Sequence, residues 1–410
     1  MIKYGLIGEN ISYSYSKEIH SLFGNNEYEI YSMNKEEVKE LLIKKDFLGL
    51  NVTIPYKEYV IDFLDVVDTS VELAGSCNLI ICKNNKIYGY NTDFFGFLAL
   101  VNKSEMNLSN KNVAILGSGG TSKTVKACLN KIGVKNIYVI SRSNSDYKYE
   151  DLPKLDIDYI INTTPVGGVF NDALITPYTD NVKGVIDVIY RPNLTKLLLD
   201  AKRKKIPYVN GLYMLVYQAY LSHIKFKKEF NDPSKIEEVY HKIKYQNTNI
   251  VLIGMPFSGK STIGKKLAQK MNRQFIDIDE EIVKKVGLSI ETIFQKYGEN
   301  YFRSLENEII HNLRFENNLV ISLGGGAIMN PYNMFDMFQN GIIYGISRDI
   351  NNISFDGTRP LSNNVEEYKS LYLRRRKLYN KYSKRIYNNN SSIDDVVIEM
   401  ERDFYEDTNC

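Results

Sequence analysis

Short apolar runs alternate with amphipathic patterns along most of the 410-residue chain. Runs such as "KYGLIG", "NVAILGSG" and "YIINTTP" have the length and apolar character of buried strands. Between such runs, apolar residues recur at helical spacing, for example over residues 35–45 and 121–132. This alternation is typical of parallel sheets covered by helices, so the fold class that we predict is α/β.

The alternation restarts near residue 247, where a charged helical pattern gives way to a short polar stretch. "NIVLIGMPFSGKST" then begins a new strand, loop and helix, as an independent nucleotide-binding domain does. The sequence therefore predicts several domains. They are an α/β domain at 1–95 to which helices at about 211–240 return, a Rossmann domain at 96–210, a linker at 241–248, and a P-loop, NMP-kinase-like α/β domain at 249–410.

Composition narrows the class of protein. The formal charge of +3 is nearly balanced, so neither a nucleic acid nor a membrane is expected as a partner, while an oligomer is possible. The cysteines form no CxxC pair, which argues against structural zinc and favours a reducing compartment. They are Cys77, Cys82, Cys128 and Cys410. With no signal-peptide pattern and no apolar run of about 20 residues, we expect a cytoplasmic protein.

The segment "GSGGTS" at residues 117–122 lies between an apolar strand and a helix. Gly117 permits a tight turn, Gly119 lets the backbone approach a pyrophosphate, and the small Ser122 allows close helix packing. The helix N-terminus supplies free N–H donors. The next strand ends on Arg142 rather than on an acidic residue, and an arginine there can pair with a 2′-phosphate. This pattern favours NADP(H); the alternative is a surface arginine.

Two polar side chains ahead of this loop are candidates for proton transfer. Lys57 ends "NVTIPYK" and Asp93 ends "NTD", each in a turn that follows a predicted strand. A lysine beside a carboxylate can pass a proton to a carbonyl oxygen as hydride arrives. From spacing alone, an ordinary ion pair is the alternative.

Over about residues 1–245 the motifs "SYSYS", "NVTIPYK", "GSCN", "NTD", "NTTPVG", "DVIYRPNLT" and "GLYMLVYQA" resemble, in order, those of the shikimate dehydrogenase family. The resemblance implies that Lys57 is the catalytic lysine and Asp93 its partner. The implied substrate contacts are Ser14, Ser16, Thr53, Asn78, Tyr190 and Gln218. The implied cofactor contacts are Gly117, Ser118, Gly119, Gly120, Thr121, Arg142, Thr164, Gly211 and Met214. Tyr13 departs from the family, which usually has histidine there.

The segment "GMPFSGKST" at residues 254–262 fits the pattern GxxxxGK[ST] between a strand and a helix. In this pattern backbone N–H groups hold phosphates, Lys260 reaches the β- and γ-phosphates, and Ser261 can ligate Mg²⁺. Phosphoryl transfer also needs additional positive charge and an acceptor held in line. The sequence therefore predicts an ATP site with Mg²⁺.

Over about residues 249–410 the motifs "FIDIDEEI", "IFQKYGENYFRSLE", "SLGGGA", "RPL" and "RRRKLY" resemble the shikimate kinase family. The resemblance implies that Asp279 is the base at the acceptor hydroxyl and that Glu306 supports Arg303. The implied ATP contacts are Gly254, Gly259, Lys260, Ser261, Thr262 and Arg359. The implied acceptor contacts are Asp279, Arg303, Gly325, Gly326 and Arg375, and the implied metal contacts are Ser261 and Asp277. Phe257 stands where the family usually has glycine, and the segment before Arg359 is short.

Together the resemblances imply two consecutive reactions. The first is NADPH-dependent reduction of 3-dehydroshikimate to shikimate, and the second is ATP-dependent phosphorylation of shikimate to shikimate 3-phosphate. Three alternatives stay open at this point. They are a quinate/shikimate dehydrogenase that uses NAD, a degenerate kinase-like module that binds or regulates, and an unrelated P-loop kinase acting on a small molecule.

Overall fold

The computed structural model describes residues 1–143, 145, 147–169, 181–227, 232–353, 364–390 and 392–409. The chain divides into two compact units. The first contains Met1–Tyr190 and Thr195–Ile243, and the second contains Arg191–Leu194 and Lys244–Cys410. No helix among the described residues is long and apolar enough to cross a membrane.

The first unit contains a six-stranded mixed sheet in the order β2-β1-β3-β5-β6-β4. Its strands are β1 (Ile2–Gly8), β2 (Tyr28–Ser32), β3 (Phe47–Val52), β4 (Val66–Val67), β5 (Leu79–Lys83) and β6 (Lys86–Tyr90). Its helices are α1 (Ser16–Leu22), α2 (Lys35–Lys44) and α3 (Thr69–Ala74). β1, β2 and β3 run parallel, whereas β5 is antiparallel to both β3 and β6. The parallel part brings the loops after β1 and β3 to one edge of the sheet.

The same unit contains a second sheet of five parallel strands, in the order β11-β10-β9-β7-β8. Its strands are β7 (Asn112–Leu116), β8 (Asn136–Ile140), β9 (Tyr159–Asn162), β10 (Gly184–Asp187) and β11 (Tyr208–Asn210). The accompanying helices are α4 (Thr92–Lys103), α5 (Gly120–Ile132), α6 (Lys196–Arg203), α7 (Leu212–Lys227) and α8 (Ser234–Asn247). Buried residues of α4, α5 and β7, such as Phe97, Val125 and Ile115, share one core cluster.

Close packing joins α4 to α7. A Cβ added to Gly96 of α4 would lie 2.8 Å from the backbone oxygen of Met214 in α7, so a larger residue would push the helices apart. This contact places Gly96, in the second turn of α4, beside Met214 in the first turn of α7. Both helices contain predicted site residues.

The second unit is built on a five-stranded parallel sheet in the order β13-β14-β12-β15-β16. Its strands are β12 (Asn249–Ile253), β13 (Gln274–Asp277), β14 (Leu319–Ser322), β15 (Gly341–Ser347) and β16 (Arg385–Asn388). Its helices are α9 (Lys260–Lys270), α10 (Ile278–Val286), α11 (Ile290–Leu313), α12 (Pro331–Asn340), α13 (Val365–Tyr382) and α14 (Ile393–Asn409). Alternate residues of β12 point into two core clusters, with Val251 in one and Ile250 and Leu252 in the other, as expected when helices cover both faces.

The predicted fold class, an α/β protein with parallel sheets, is confirmed. The predicted linker at 241–248 contains the boundary between the two units, and α8 continues through it to Asn247. Ile236, Val239 and Ile243 are buried on one face of this helix. They follow helical spacing, in agreement with the charged helical pattern seen in the sequence before residue 247.

Candidate active sites

An ion pair lies at the centre of the candidate site in the first unit. Lys57, in the loop after β3, places its Nζ 2.6 Å from Oδ2 of Asp93 in the first turn of α4. The two side chains are only 14% and 9% exposed. Lys57 Nζ also lies 3.5 Å from Oγ1 of Thr121, at the start of α5. The pair that the sequence predicted is therefore formed, and it lies beside the predicted cofactor turn.

A buried cluster of Asn78, Thr92 and Gln218 includes the residue that precedes Asp93 in the chain. The Oδ1 atom of Asn78 accepts a hydrogen bond from the backbone N–H of Thr92 at 2.6 Å. The Nδ2 atom of Asn78 donates to Thr92 Oγ1 at 3.0 Å and to Oε1 of Gln218 in α7 at 3.3 Å. Two predicted substrate contacts, Asn78 and Gln218, are thus brought together, with Thr92 between them.

The two predicted serine contacts lie where the loop after β1 enters α1. Their Oγ atoms are 2.9 Å apart, and the backbone N–H of Ser16 donates to Oγ of Ser14. Thr53 lies beside the end of β1, because its N–H donates to the backbone oxygen of Ile7. Tyr190 packs its ring against Tyr15, with centroids 5.3 Å apart. Within the described part of the chain, no direct hydrogen bond joins the serine pair to Asn78 or Gln218.

The glycine-rich turn between β7 and α5 has the geometry of a phosphate cradle. Gly117 has φ +110°, and a Cβ there would lie 2.8 Å from Oγ1 of Thr163. Nothing lies within 4 Å of a Cβ added to Gly119, the N-cap of α5, so this backbone is open to a ligand. A Cβ on Gly120 would lie 3.3 Å from Cβ of Lys57. The turn thus fits a dinucleotide pyrophosphate and lies against Lys57, the predicted catalytic lysine.

The loops beside this turn contain the remaining cofactor candidates. The Oγ atom of Ser118 lies 3.1 Å from Oγ of Ser141 and 3.3 Å from the backbone oxygen of Ser143. These contacts place the exposed Arg142 next to the glycine-rich turn. Gly211 must remain glycine, because an added Cβ would lie 2.0 Å from the backbone oxygen of Val188. Met214 is buried in α7.

A buried carboxylate organises the loop after β9. Asp187 is fully buried and accepts hydrogen bonds from Asn162 Nδ2 at 3.0 Å and Thr195 Oγ1 at 2.7 Å. Asn162 in turn accepts from the N–H and Oγ1 of Thr164, at 3.0 and 2.7 Å. Burial raises the pKa of Asp187 to about 7, and these hydrogen bonds oppose the rise. Asp187 thereby holds the predicted cofactor residue Thr164 in place.

The P-loop of the second unit connects β12 to α9. Lys260 Nζ donates to the backbone oxygens of Gly254 and Met255, at 3.0 and 2.9 Å. Gly259 caps α9 with φ +91°, and Thr262 lies in the first turn of that helix. Phe257 also takes a left-handed backbone, with φ +62°, and its half-buried ring packs against the core cluster of this unit. The structure thus places a bulky residue in a conformation that favours glycine.

Oxygen ligands for a magnesium ion lie next to the P-loop. Ser261 Oγ is 2.5 Å from Oδ2 of Asp277 at the end of β13. The other oxygen of Asp277 accepts N–H donors from Asp279 and Glu280, so it caps α10. A hydroxyl and a carboxylate are hard oxygen ligands of the kind that Mg²⁺ binds together with nucleotide phosphates. Ser261 and Asp277 therefore fit the predicted metal site.

Two arginines converge on the glycine turn after β14. Arg303 donates from Nη1 to Glu306 Oε2 at 2.8 Å. Arg375 donates from Nη1 to the backbone oxygen of Gly325 at 3.1 Å, and Tyr379 donates from its hydroxyl to the same oxygen at 2.7 Å. Burial, and to a smaller extent the charge of Arg303, lower the pKa of the Arg375 guanidinium. Two nearby guanidiniums suit a carboxylate ligand.

The glycine turn brings the acceptor residues together because it lacks side chains. A Cβ on Gly324 would lie 2.7 Å from Glu306 Oε1 and 2.9 Å from Asp279 Oδ1, and one on Gly326 would lie 2.3 Å from Arg303 Nη2. On Gly325 it would lie 2.9 Å from Pro256 of the P-loop. An open cavity of about 560 Å³ is lined by Asp277, Asp279 and residues of α10 and α11. Burial raises the pKa of Glu306 to about 7, despite its pairing with Arg303.

Comparison with known proteins identifies the first unit. A family model described as the shikimate dehydrogenase substrate binding domain matches residues 6–80. The shikimate dehydrogenase (NADP(+)) of Clostridium beijerinckii is 36% identical over 239 residues, covering 53% of this chain and 88% of that protein. The chain belongs to the shikimate dehydrogenase family. The enzyme of the same name from Clostridium perfringens is 32% identical over 269 residues, covering 59% and 98%.

Solved structures agree with this membership of the shikimate dehydrogenase family. Shikimate dehydrogenase 1 from Peptoclostridium difficile superposes with a TM-score of 0.55 at 31% identity, covering 59% of this chain and 98% of that one. A chorismate mutase/shikimate 5-dehydrogenase fusion protein from Clostridium acetobutylicum gives 0.54 at 31% identity, covering 59% and 97%. A shikimate kinase family model matches residues 256–404. The chain therefore joins a shikimate dehydrogenase to a shikimate kinase domain.

The structure adds residues to both sites of this dehydrogenase–kinase chain. Thr92 belongs to the Asn78–Gln218 cluster, and its position next to the assigned Asp93 in "NTD" was the available signal. Asn389, after β16, donates from Nδ2 to the backbone oxygen of Ser258 in the P-loop at 2.9 Å. No sequence signal pointed to Asn389, because its partner is 131 residues away. The predicted ATP contact Arg359 lies outside the described residues.

Proposed function

We propose that the first unit reduces 3-dehydroshikimate to shikimate with NADPH and that the second phosphorylates the 3-hydroxyl of shikimate with ATP and Mg²⁺. The observation that supports the first reaction best is the buried Lys57–Asp93 pair against the glycine-rich turn. The second reaction is supported by the Arg303–Arg375 pair, which adjoins a complete P-loop. The family comparisons support both enzyme activities.

In the dehydrogenase, this chain's residues bind the substrate and supply a proton. NADPH supplies the hydride when bound. Lys57 donates a proton from Nζ to the carbonyl oxygen, which becomes the new hydroxyl, and it then regains a proton from solvent. Asp93 holds the lysine in place through the 2.6 Å contact. Ser14 and Ser16 offer hydroxyl donors to the substrate carboxylate.

The polar groups around the dehydrogenase substrate would bind its ring. Asn78 and Gln218 offer amide donors and acceptors to the ring hydroxyls, and Thr53 and Tyr190 are proposed as further substrate contacts. Because the amide side chains are already oriented by hydrogen bonds to one another, little reorganisation is needed on binding. Arg142 supports NADP(H) over NAD(H), since a guanidinium favours a 2′-phosphate.

In the kinase, the residues position two substrates and neutralise charge. Asp279 accepts the proton of the acceptor hydroxyl, and Arg303 and Arg375 bind the carboxylate of shikimate. Lys260 moves its ammonium from the P-loop oxygens to the phosphates. Ser261 and Asp277 would hold Mg²⁺, which would supply positive charge to neutralise the phosphates.

Two single variants, each measured in both assays, test the proposal. Lys57→Ala should abolish NADPH oxidation with 3-dehydroshikimate while ADP release with shikimate continues. Lys260→Ala should do the reverse. The exposed Lys39 and Lys377, changed to alanine, are matched controls that should leave both rates unchanged. Loss of both activities in either site variant would contradict the assignment of one reaction to each unit.

A second candidate function is suggested by Phe257. Its left-handed backbone raises the alternative that the kinase-like unit only binds nucleotide or shikimate. Shikimate-dependent ADP release by the wild-type protein would exclude this alternative. Intact reduction without such turnover would support it. A cytoplasmic location and assembly into an oligomer stay predictions.

A further inference from the structure

We propose that Ser76, Asn91 and Thr124, here called the Asn91 cluster, are positioning residues that hold the Lys57–Asp93 pair against the cofactor turn. The inference rests on the proposed dehydrogenase function and extends it to residues outside the assigned site. All three side chains are at most 1% exposed. They connect elements of the two sheets of the first unit.

The Asn91 cluster is closed by hydrogen bonds among its members. Asn91 Nδ2 donates to the backbone oxygen of Ser76 at 2.7 Å, and it lies 3.1 Å from Ser76 Oγ and 3.2 Å from Thr124 Oγ1. The hydroxyls of Ser76 and Thr124 are 2.9 Å apart. Burying three polar side chains is unfavourable unless they are paired, and here each of them is.

One end of the Asn91 cluster fixes the catalytic pair. Asn91 Oδ1 accepts from the N–H of Phe94 at 2.9 Å, so Asn91 caps the helix whose first turn contains Asp93. Next to Ser76, the N–H of Cys77 donates to the backbone oxygen of Lys57 at 2.7 Å. Each partner of the ion pair is therefore one hydrogen bond and one residue away from the cluster.

The other end of the Asn91 cluster fixes the cofactor turn. Ser76 and Thr124 both donate to the backbone oxygen of Gly120, at 3.2 and 3.1 Å. Gly120 begins α5, the helix whose N-terminus would receive the pyrophosphate. Because Gly120 also adjoins Lys57, a shift of α5 would change the distance between the cofactor and the proton donor. Apolar packing is non-directional, whereas these hydrogen bonds set orientation.

The experiment removes the hydroxyl of Thr124 and keeps the shape of the side chain. Thr124→Val should lower kcat for 3-dehydroshikimate reduction on the order of tenfold, since small displacements at a reacting centre have large effects on rate. The primary deuterium isotope effect with deuterated NADPH should increase, because hydride transfer becomes slower. Thr124→Ser should restore both values. Ser76→Ala provides a second route to the same result if the valine variant folds poorly.

Controls separate positioning from stability. Ser104→Ala removes a hydroxyl that donates to Val101 at the other end of α4, and it should leave the isotope effect unchanged. The thermal unfolding transition that NADPH shifts upward confirms that the first unit of each variant is folded. A lowered melting temperature with unchanged kcat and isotope effect would overturn the inference and leave the proposed function intact. A wild-type protein that does not reduce 3-dehydroshikimate would overturn both.

Discussion

Replacing Phe257 tests whether backbone strain in the P-loop is compensated by ring packing. An L-residue in the left-handed region costs about 1–2 kcal/mol, and glycine does not. The Phe257 ring is half-buried against the core cluster that contains Val251. Full burial of such a ring is worth about 1.5–3 kcal/mol, so half-burial offsets the strain by about 1 kcal/mol. The two effects nearly cancel.

Two substitutions of Phe257, by alanine and by glycine, separate the cost of backbone strain from the gain of ring packing. Phe257→Ala loses the ring and keeps the strain, whereas Phe257→Gly loses both. Glycine also loses about 0.5–1 kcal/mol to the entropy of the unfolded chain. We therefore expect the glycine variant to be more stable than the alanine variant by about 0.5–1 kcal/mol, which reverses the usual order of these residues. That difference is a melting-temperature gap of about 1–4 °C for a unit of this size.

The assay is thermal unfolding of the full chain, followed in both variants with and without ATP and Mg²⁺. The transition that nucleotide shifts upward reports on the kinase unit. Asn272 is a matched control, since it has φ +51° on the surface of the same unit. Its glycine and alanine variants should show the same order of stability without any change in kinase kinetics.

Steady-state kinase kinetics test whether the Phe257 ring points towards the core or towards the phosphates. Because it packs on the core cluster, its removal should change KM for ATP by less than about threefold, or under 0.7 kcal/mol. An alanine variant as stable as the glycine variant would refute the strain estimate. A tenfold fall in KM for ATP in Phe257→Gly would show instead that the ring crowds the phosphates.

Three further predictions concern charge. Arg142→Ala should raise KM for NADPH about tenfold or more and leave KM for NADH nearly unchanged, since a charge-assisted hydrogen bond contributes about 1.5–3 kcal/mol; steady-state cofactor titrations measure both. Burial raises the pKa of Asp187 in the folded state, so its contribution to the free energy of unfolding is complete below about pH 4 and is lost as the pH rises to about 7. Asp187→Asn should flatten this decline of stability with pH, measured by urea unfolding. An unchanged dependence of stability on pH would contradict the assignment. Arg375→Lys should raise KM for shikimate about tenfold in the kinase assay but not KM for ATP, because an ammonium cannot reproduce the guanidinium fork.

Local patterns accounted for the nucleotide loops. In both, the strand, the glycines and the following helix are contiguous, so the geometry around Gly117 and around Lys260 follows from neighbouring residues. The Lys57–Asp93 contact joins residues 36 apart. Spacing alone left it open as an ordinary ion pair, and only the ordered resemblance assigned it a role.

Networks of common polar residues could not be predicted in the same way. Asn91, Ser76 and Thr124 each suit a turn, a cap or a helix surface, and only the packing of α3, α4 and α5 brings their side chains together. The same holds for Asn389, whose contact with the P-loop depends on the order of strands in the sheet. Such contacts are set by tertiary structure.

Two glycine turns, one in each unit, lack side chains and therefore let charged residues come close to the backbone. At Gly120 the missing Cβ lets the predicted cofactor turn approach the Cβ of Lys57, so the cofactor and the proposed proton donor would meet at one place. At Gly324 and Gly326 the missing side chains admit Asp279, Glu306 and Arg303, so a base and an anion site meet around the acceptor. An alanine at Gly326 would overlap a guanidinium, whereas one at Gly120 would meet only ordinary side-chain carbons at 3.3–3.4 Å. Gly326 should therefore tolerate alanine less than Gly120, although the two loops look equally glycine-rich in the sequence.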